Sequence, residues 1–220
     1  MTLTNSELAA LFESLGGGSL NANGWAFGCE FGFWQRSLGV EPLGLLRWAS
    51  IAPNDLLRGL DSGFAGVDDI ADIEAREHTG SDWGITQRKY GMYLDHSGMN
   101  RAEIPRKQAI SRVARGLGRL RERLIEDLTT GEKLFVYRTY DHTLDDGVQA
   151  ALAAAVGAFG GATLCYVRHA DTRHPAFTAE RQSAHLIVGY IDHFAPGDGR
   201  FNYNPDGWEA VCRAALGAWK

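Results

Sequence analysis

Short apolar runs and helical stripes of apolar residues alternate along the C-terminal half of the chain. Residues 133–138 (KLFVYR) and 162–168 (ATLCYVR) have the length and composition typical of buried strands. The Ala-rich stretch between them predicts a helix over residues 145–159, with a capping box at residues 143–146. The order strand, helix, strand predicts a βαβ unit whose two strands are parallel neighbours.

The end of the chain continues this alternation. Residues 185–191 (HLIVGYI) predict a third buried strand. A closing helix is predicted to begin at Pro205 with Asn204 as its N-cap, because proline fits the first turn of a helix. Its apolar residues recur every three or four positions and form one face that packs on a sheet, namely Trp208, Val211, Cys212, Ala215, Leu216 and Trp219.

The middle of the chain contains one long predicted helix. It covers residues 101–129, with Asn100 as its N-cap, an apolar stripe on one side and arginines on the other. The preceding residues 89–96 (KYGMYLDH) predict a strand. Residues 68–82 are polar and acidic, and they predict an excursion over the surface.

The N-terminal third is less regular. Residues 11–15 predict a strand, a loop rich in Gly and Asn follows, and the chain from Cys29 to Gly39 predicts one or two helical turns. Strands and helices thus alternate along the whole chain, which predicts a single α/β domain over residues 1–220. In this layered domain, helices flank a central, mostly parallel sheet.

Composition narrows the classes of function. Of the 220 residues, 45% are hydrophobic and 22% charged, which are ordinary values for a globular protein. A formal charge of −5 argues against nucleic acid as a partner, because phosphate binding needs a basic face. No apolar run approaches the roughly 18 residues that a membrane span needs, and the first residues do not resemble a signal peptide.

The three cysteines bear on the cellular compartment. Their odd number and unpaired spacing argue against a disulfide framework or a zinc site of the Cys-x-x-Cys type. Thiols that stay reduced indicate a cytoplasmic protein. The sequence predicts no cofactor and no metal, and it leaves the oligomeric state open.

Cys29 is the first candidate for chemistry. It lies at the start of a predicted helix, where partial positive charge and free N–H groups favour a thiolate and an oxyanion. The alternative is that Cys29 is a small core residue, as cysteines often are. Cys165 lies in an apolar strand and Cys212 on an apolar helical stripe, so both are predicted to be buried and unreactive.

Other groups offer weaker signals. Residues 16–18 are three glycines after a predicted strand, and their N–H groups would bind a phosphate or simply form a turn. His169, Asp171 and His174 have metal-ligand side chains, but their spacing matches no helical ligand pair and a solvated loop is the alternative. Aromatic residues near Cys29 line a substrate cleft or pack in the core, namely Trp25, Phe27, Phe31, Phe33, Trp34 and Trp48.

A general base would come from the histidines. His96 and His142 each follow a predicted strand, and ligands gather at the carboxyl ends of parallel strands. His78, His185 and His193 have no comparable sequence context.

Several runs carry a family resemblance. LFESLG, GCEFGFWQRSLGVEPLGLLRWASI and LLRGLDSGFAGV, followed by KYGMYLDH, a long charged helix and KLFVYR, resemble a bacterial family classified as papain-like cysteine peptidases of unknown function. The resemblance covers motifs, in order, over about the first 140 residues. It implies that Cys29 is the nucleophile and His96 its base, and Asp141 is the candidate third group that orients the imidazole.

The leading hypothesis is therefore a thiol-dependent hydrolase or acyltransferase that acts on a peptide or amide bond of a peptide or small-molecule substrate. One alternative is a transferase or accessory module of glycan biosynthesis that binds a nucleotide or sugar phosphate at the carboxyl ends of the strands. The other is a non-catalytic interaction domain in which Cys29 is only a core residue.

Overall fold

The secondary structure comes from a computed structural model that describes residues 3–18, 29–77, 80–94, 97–139, 143–195 and 203–220. The helices are α1 (Asn5–Ala10), α2 (Glu30–Ser37), α3 (Pro53–Asp61), α4 (Arg106–Thr130), α5 (Asp146–Gly157) and α6 (Pro205–Trp219). The strands are β1 (Phe12–Gly17), β2 (Ile73–Glu77), β3 (Trp83–Gln87), β4 (Met92–Leu94), β5 (Leu134–Arg138), β6 (Thr163–His169), β7 (Thr178–Ser183) and β8 (Leu186–Ile191).

Five strands form a mostly parallel sheet in the order β1-β5-β6-β8-β7. The first four are parallel to their neighbours, and β7 is an antiparallel edge strand. Strands β5 and β6 pair from Leu134 opposite Thr163 onward, and α5 connects them. The predicted βαβ unit is therefore confirmed, and so is the α/β class. The extent of the domain over residues 1–220 stays a prediction.

A smaller antiparallel sheet, β2-β3-β4, lies beside β1. Ser50 joins the two sheets, because it bridges Gly17 at the end of β1 and Tyr93 in β4. Its N–H donates to the Tyr93 carbonyl at 2.8 Å, and the Tyr93 N–H donates to the Ser50 carbonyl at 2.9 Å. This junction fixes the segment before α3 against the carboxyl end of β1.

Both faces of the large sheet are covered. Phe135 and Tyr137 of β5 belong to a core cluster that includes residues of α3, α4 and α5, whereas Leu134 and Val136 belong to a second cluster with α1, α2 and α6. Successive side chains of a strand point to opposite faces, so β5 is buried along its whole length. This double burial explains why the strands read as continuous apolar runs.

The prediction of a surface excursion over residues 68–82 was wrong in part. Residues Ile73–Glu77 form β2 and pair with β3. Only Ile73 and Ala75 of this strand are buried, and the residues between and after them are charged and exposed. The buried residues alternate with charged ones, as in a half-buried strand, but one of the two buried residues is the small Ala75. The apolar pattern was therefore too weak to predict a strand.

Two predicted helix starts also need correction. The long helix begins at Arg106 rather than residue 101, and Asn100 instead accepts a hydrogen bond from the Ala102 N–H at 2.9 Å. Pro105 sets the boundary, because proline disfavours helical conformation in the residue before it. For α5 the cap is Asp145, whose carboxylate accepts the Val148 N–H at 2.9 Å, so the predicted box over residues 143–146 was wrong. The Asn204 cap of α6 is confirmed.

Candidate functional site

The glycine run at the end of β1 is explained by close backbone packing. Gly16 and Gly17 have positive φ angles of 77° and 148°. A Cβ atom would lie 2.7 Å from the Ala49 carbonyl oxygen at Gly16 and 2.5 Å from the Arg138 carbonyl oxygen at Gly17. The Gly18 N–H donates to that same Arg138 oxygen at 3.2 Å. The close approach of neighbouring backbone thus accounts for Gly16 and Gly17, and a phosphate-binding role is not needed to explain them.

Cys29 is the N-cap of α2, as its position in the sequence predicted. Its carbonyl accepts the Phe33 N–H at 3.0 Å in the first turn of the helix. Its side chain is half-buried, and the thiol donates toward the Trp48 carbonyl oxygen over 3.6 Å. Cys29 therefore lies at the N-terminal end of α2, where the helix dipole favours a negative charge, and its thiol is directed toward the Trp48 carbonyl.

A buried charge anchors this end of α2. The Glu30 side chain is fully buried, and its Oε1 accepts a hydrogen bond from Trp208 Nε1 of α6 at 3.0 Å. Its Oε2 lies 3.5 Å from Nη2 of Arg138, which is also buried, at the end of β5. Glu30 therefore ties the helix that carries Cys29 to both the sheet and α6. Sequence reasoning missed this pair, although an acidic residue directly after Cys29 was a visible signal.

A cavity of about 450 Å³ opens beside Cys29. Its lining residues are Cys29, Phe33, Arg36, Trp48, Asp82, Ser97 and Gly98. The first three are spaced by four and three residues, so they share one face of α2. Trp48 packs edge-to-face on Phe33, with 5.2 Å between the ring centroids. Of the predicted aromatic cluster, Phe33 and Trp48 thus line the cavity, whereas Phe31 and Trp34 are core residues.

Arg36 is the cation in the cavity lining, and it belongs to a charged cluster with Glu41 and the buried Arg47. The guanidinium carbons of Arg36 and Arg47 lie 4.4 and 4.6 Å from the centre of the Trp48 ring. Glu41 accepts from Nε of Arg36 at 2.5 Å and from Nη1 of Arg47 at 2.6 Å. These hydrogen bonds, that from Arg36 first, hold the pKa of Glu41 below its usual range. Two cations and one anion leave this cluster, which reaches the cavity through Arg36, with a net positive charge.

The cavity lining also includes a carboxylate, that of Asp82. Asp82 accepts the Gly98 N–H at 3.0 Å, which fixes the loop that follows β4. Ser97 and Gly98 of this loop line the cavity. The predicted base His96 directly precedes Ser97 in the sequence, but His96 lies outside the described residues. Asp141 and His142 also lie outside them, so the predicted triad stays a prediction.

The His169, Asp171 and His174 side chains do not converge on a common point. His169 packs against the ring of Phe194 at 4.7 Å. His174 Nδ1 lies 2.8 Å from the Asp171 carboxylate, and its ring stacks on Tyr190 at 4.5 Å. The hydrogen bonds from His174 and from backbone N–H groups hold the pKa of Asp171 well below its usual range. Within the described ranges, no cluster of three or more His, Cys, Asp or Glu residues is arranged to hold a metal ion.

The other two cysteines are core residues, as predicted. Cys165 in β6 and Cys212 in α6 are both buried in the cluster that covers one face of the sheet. Burial raises the pKa of the Cys165 thiol to about 12 and that of Cys212 well above its ordinary value. A second cavity of about 450 Å³ lies between α5 and the β7–β8 turn, where it is lined by residues such as Ala153 and His185. None of the described residues that line it is a cysteine.

None of the helices within the described ranges is long and apolar enough to span a membrane. Comparison of the chain with protein-family models, with curated proteins and with solved structures finds no match.

Proposed function

We propose that the protein is a thiol-dependent hydrolase or acyltransferase that acts on a peptide or amide bond, with Cys29 as its nucleophile. One observation carries the proposal. Of the three cysteines, Cys29 is the one that is not buried, and it combines the start of a helix with the wall of a cavity large enough for a peptide segment.

The chemistry follows from the position of the sulfur. The Cys29 thiolate attacks the substrate carbonyl carbon, and the N–H groups at the start of α2 stabilise the oxyanion that forms. The C–N bond then breaks, and the amine leaves with a proton from the general acid. Water, or an acceptor amine or alcohol, cleaves the resulting thioester and regenerates the thiol.

The proton transfers are assigned to His96, with Asp141 to orient its ring. This assignment rests on the sequence, and it is supported by Ser97, the residue after His96, which lines the same cavity as Cys29. A cysteine enzyme of this kind requires reduced thiols, which is consistent with the three free cysteines and with a cytoplasmic protein.

The two alternatives have less support. A nucleotide or sugar-phosphate site at the glycine run loses its main argument, because the glycines are needed to pack against Ala49 and Arg138. An interaction domain with a core cysteine does not account for a half-buried Cys29 on a cavity wall.

Alkylation of the native protein with iodoacetamide between pH 5 and 9, followed by peptide mapping, tests the proposal. We expect Cys29 to react about 1,000-fold faster than Cys165 and Cys212, because buried thiols react only after an opening that costs several kcal/mol. His96→Ala should slow the reaction of Cys29 at neutral pH by removing the imidazolium that stabilises the thiolate. His193→Ala is the matched control, since His193 is exposed and paired with Asp192.

Activity against amide substrates completes the test. Cys29→Ala should abolish it and leave the fold intact. If Cys29 stays as unreactive as the two core cysteines until the protein unfolds, the enzyme proposal is wrong and the interaction domain becomes the better reading.

A further inference from the structure

The cavity beside Cys29 runs along α2 from Cys29 toward Arg36. Cys29 is at the N-terminal end of the helix and Arg36 lies seven residues further on the same face, which corresponds to about 10 Å along the helix axis. Side chains in a helix lean toward its N-terminus, so the guanidinium of Arg36 is directed back toward the Cys29 end. An acyl group attached to the sulfur would therefore extend along this face toward Arg36.

Arg36 is held in one orientation and is still accessible. Its guanidinium packs over Trp48 at 4.4 Å, and Glu41 accepts from its Nε. About half of the side chain remains exposed (52%). Within the described part of the chain, its Nη1 and Nη2 make no hydrogen bond, so the edge of the guanidinium that binds carboxylates in a forked geometry is available.

The neighbouring charges do not cancel this cation. Glu41 is shared with the buried Arg47, so the three side chains together carry one positive charge. Asp82 also lines the cavity, and its carboxylate accepts the Gly98 N–H. The cavity lining thus combines one cation at Arg36, one carboxylate at Asp82 and the aromatic pair Phe33–Trp48.

From this arrangement we infer that the cavity selects an acyl group that carries a carboxylate, such as a peptide with Glu or Asp at or next to the acylated residue, and that Arg36 binds this carboxylate. About three residues of extended chain, or one residue together with an extended Glu side chain, span the separation of about 10 Å along the helix. The inference rests on the proposed function of Cys29, because it names the substrate class of that same site.

A pair of matched alkylating probes tests the inference without a known substrate. The probes are the α-amides of N-iodoacetyl-glutamate and N-iodoacetyl-glutamine, which differ only in a side-chain carboxylate or carboxamide. In both, the Cys29 sulfur bonds to the iodomethyl carbon, iodide leaves and the thiol proton goes to solvent. The measured quantity is the ratio of the two rate constants at Cys29, which cancels any change in the reactivity of the thiol itself.

We expect the glutamate probe to react about three- to fivefold faster in the wild-type protein, as fits one partly exposed ion pair. Arg36→Gln should bring the ratio to about one, and Arg36→Lys should retain part of the preference, because it keeps the charge but lacks the forked guanidinium. Asp82→Asn removes the carboxylate from the cavity lining and should raise the ratio. High salt should lower the ratio in the wild-type protein.

Equal rates for the two probes in the wild-type protein would overturn the inference, and so would a preference that survives Arg36→Gln. Such a result, with Cys29 still fast toward iodoacetamide, leaves the proposed function standing. A Cys29 that reacts with none of the reagents before unfolding contradicts the proposed function itself, so the two failures are distinguishable.

Discussion

Cys29 and the pair Cys165–Cys212 occupy contrasting regions of one molecule. Cys165 and Cys212 lie within β6 and α6, in a core cluster of buried apolar side chains. Cys29 lies at a chain position where a helix begins, beside a cavity, charged groups and the carbonyl of Trp48. The difference between them is therefore one of position within an element rather than of residue type.

The contrast has a physical basis. In the middle of a strand or helix the backbone N–H groups are already paired, and a buried thiol has only apolar surroundings, so its ionisation is disfavoured. At the start of a helix the first N–H groups point outward and stabilise negative charge. A cysteine at the start of a helix on a cavity wall is thus available for chemistry, whereas a cysteine packed in the core is not.

The largest expected effect is the loss of stability when Glu30, the buried residue that anchors α2, is replaced. Glu30→Ala removes the carboxylate that lies against buried Arg138 and accepts from Trp208, and it should lower the free energy of unfolding by about 3–5 kcal/mol. Urea unfolding measures this loss. Glu30→Gln is the matched control, because its amide oxygen still accepts from Trp208, and its loss should be smaller. If Glu30→Ala costs less than about 1 kcal/mol, as at an ordinary surface position, Glu30 is not the anchor of α2.

An intermediate effect concerns the buried thiols at alkaline pH. In the unfolded chain a cysteine ionises near pH 8.5, whereas in the folded protein the pKa of Cys165 is about 12. Below pH 8.5 the thiol is protonated in both states, so the raised pKa does not change the free energy of unfolding. Above pH 8.5 only the unfolded chain ionises, so the free energy of unfolding falls with rising pH, by about 2 kcal/mol at pH 10. Cys165→Ala should remove this contribution to the fall of the free energy of unfolding between pH 8 and 10, which urea unfolding measures. Identical slopes for the variant and the wild-type protein would show that Cys165 is not isolated from water.

The smallest expected effect is the loss of stability when a cysteine is replaced by alanine, compared between Cys212 and Cys29. Cys212→Ala leaves a void in the packed cluster and should cost about 1 kcal/mol. Cys29→Ala should change the free energy of unfolding by less than about 0.5 kcal/mol, because its side chain borders a cavity already. Thermal unfolding of the two variants measures the comparison. An equal loss for both would assign Cys29 to the core and weaken the proposed function.

Much of the fold could be predicted because its signals are local. The parallel β5–β6 pair, the Asn204 cap of α6 and the burial of Cys165 and Cys212 all follow from apolar runs, helical spacing and capping residues. The errors were also local. Strand β2 has few apolar residues, and the starts of α4 and α5 depended on which of several possible caps formed. Helix α3, strand β3 and the edge strand β7 were not predicted.

The sequence by itself determined the α/β class and the placement of Cys29 at the start of a helix, because both depend on residues close together along the chain. Only the tertiary structure brought Trp48 and Asp82 to the Cys29 face of α2 and set Glu30 against Arg138 and Trp208. These contacts join residues that are between about twenty and nearly two hundred positions apart. No local pattern encodes such pairs, because they form when separate elements pack on both sides of one sheet and bury their side chains together.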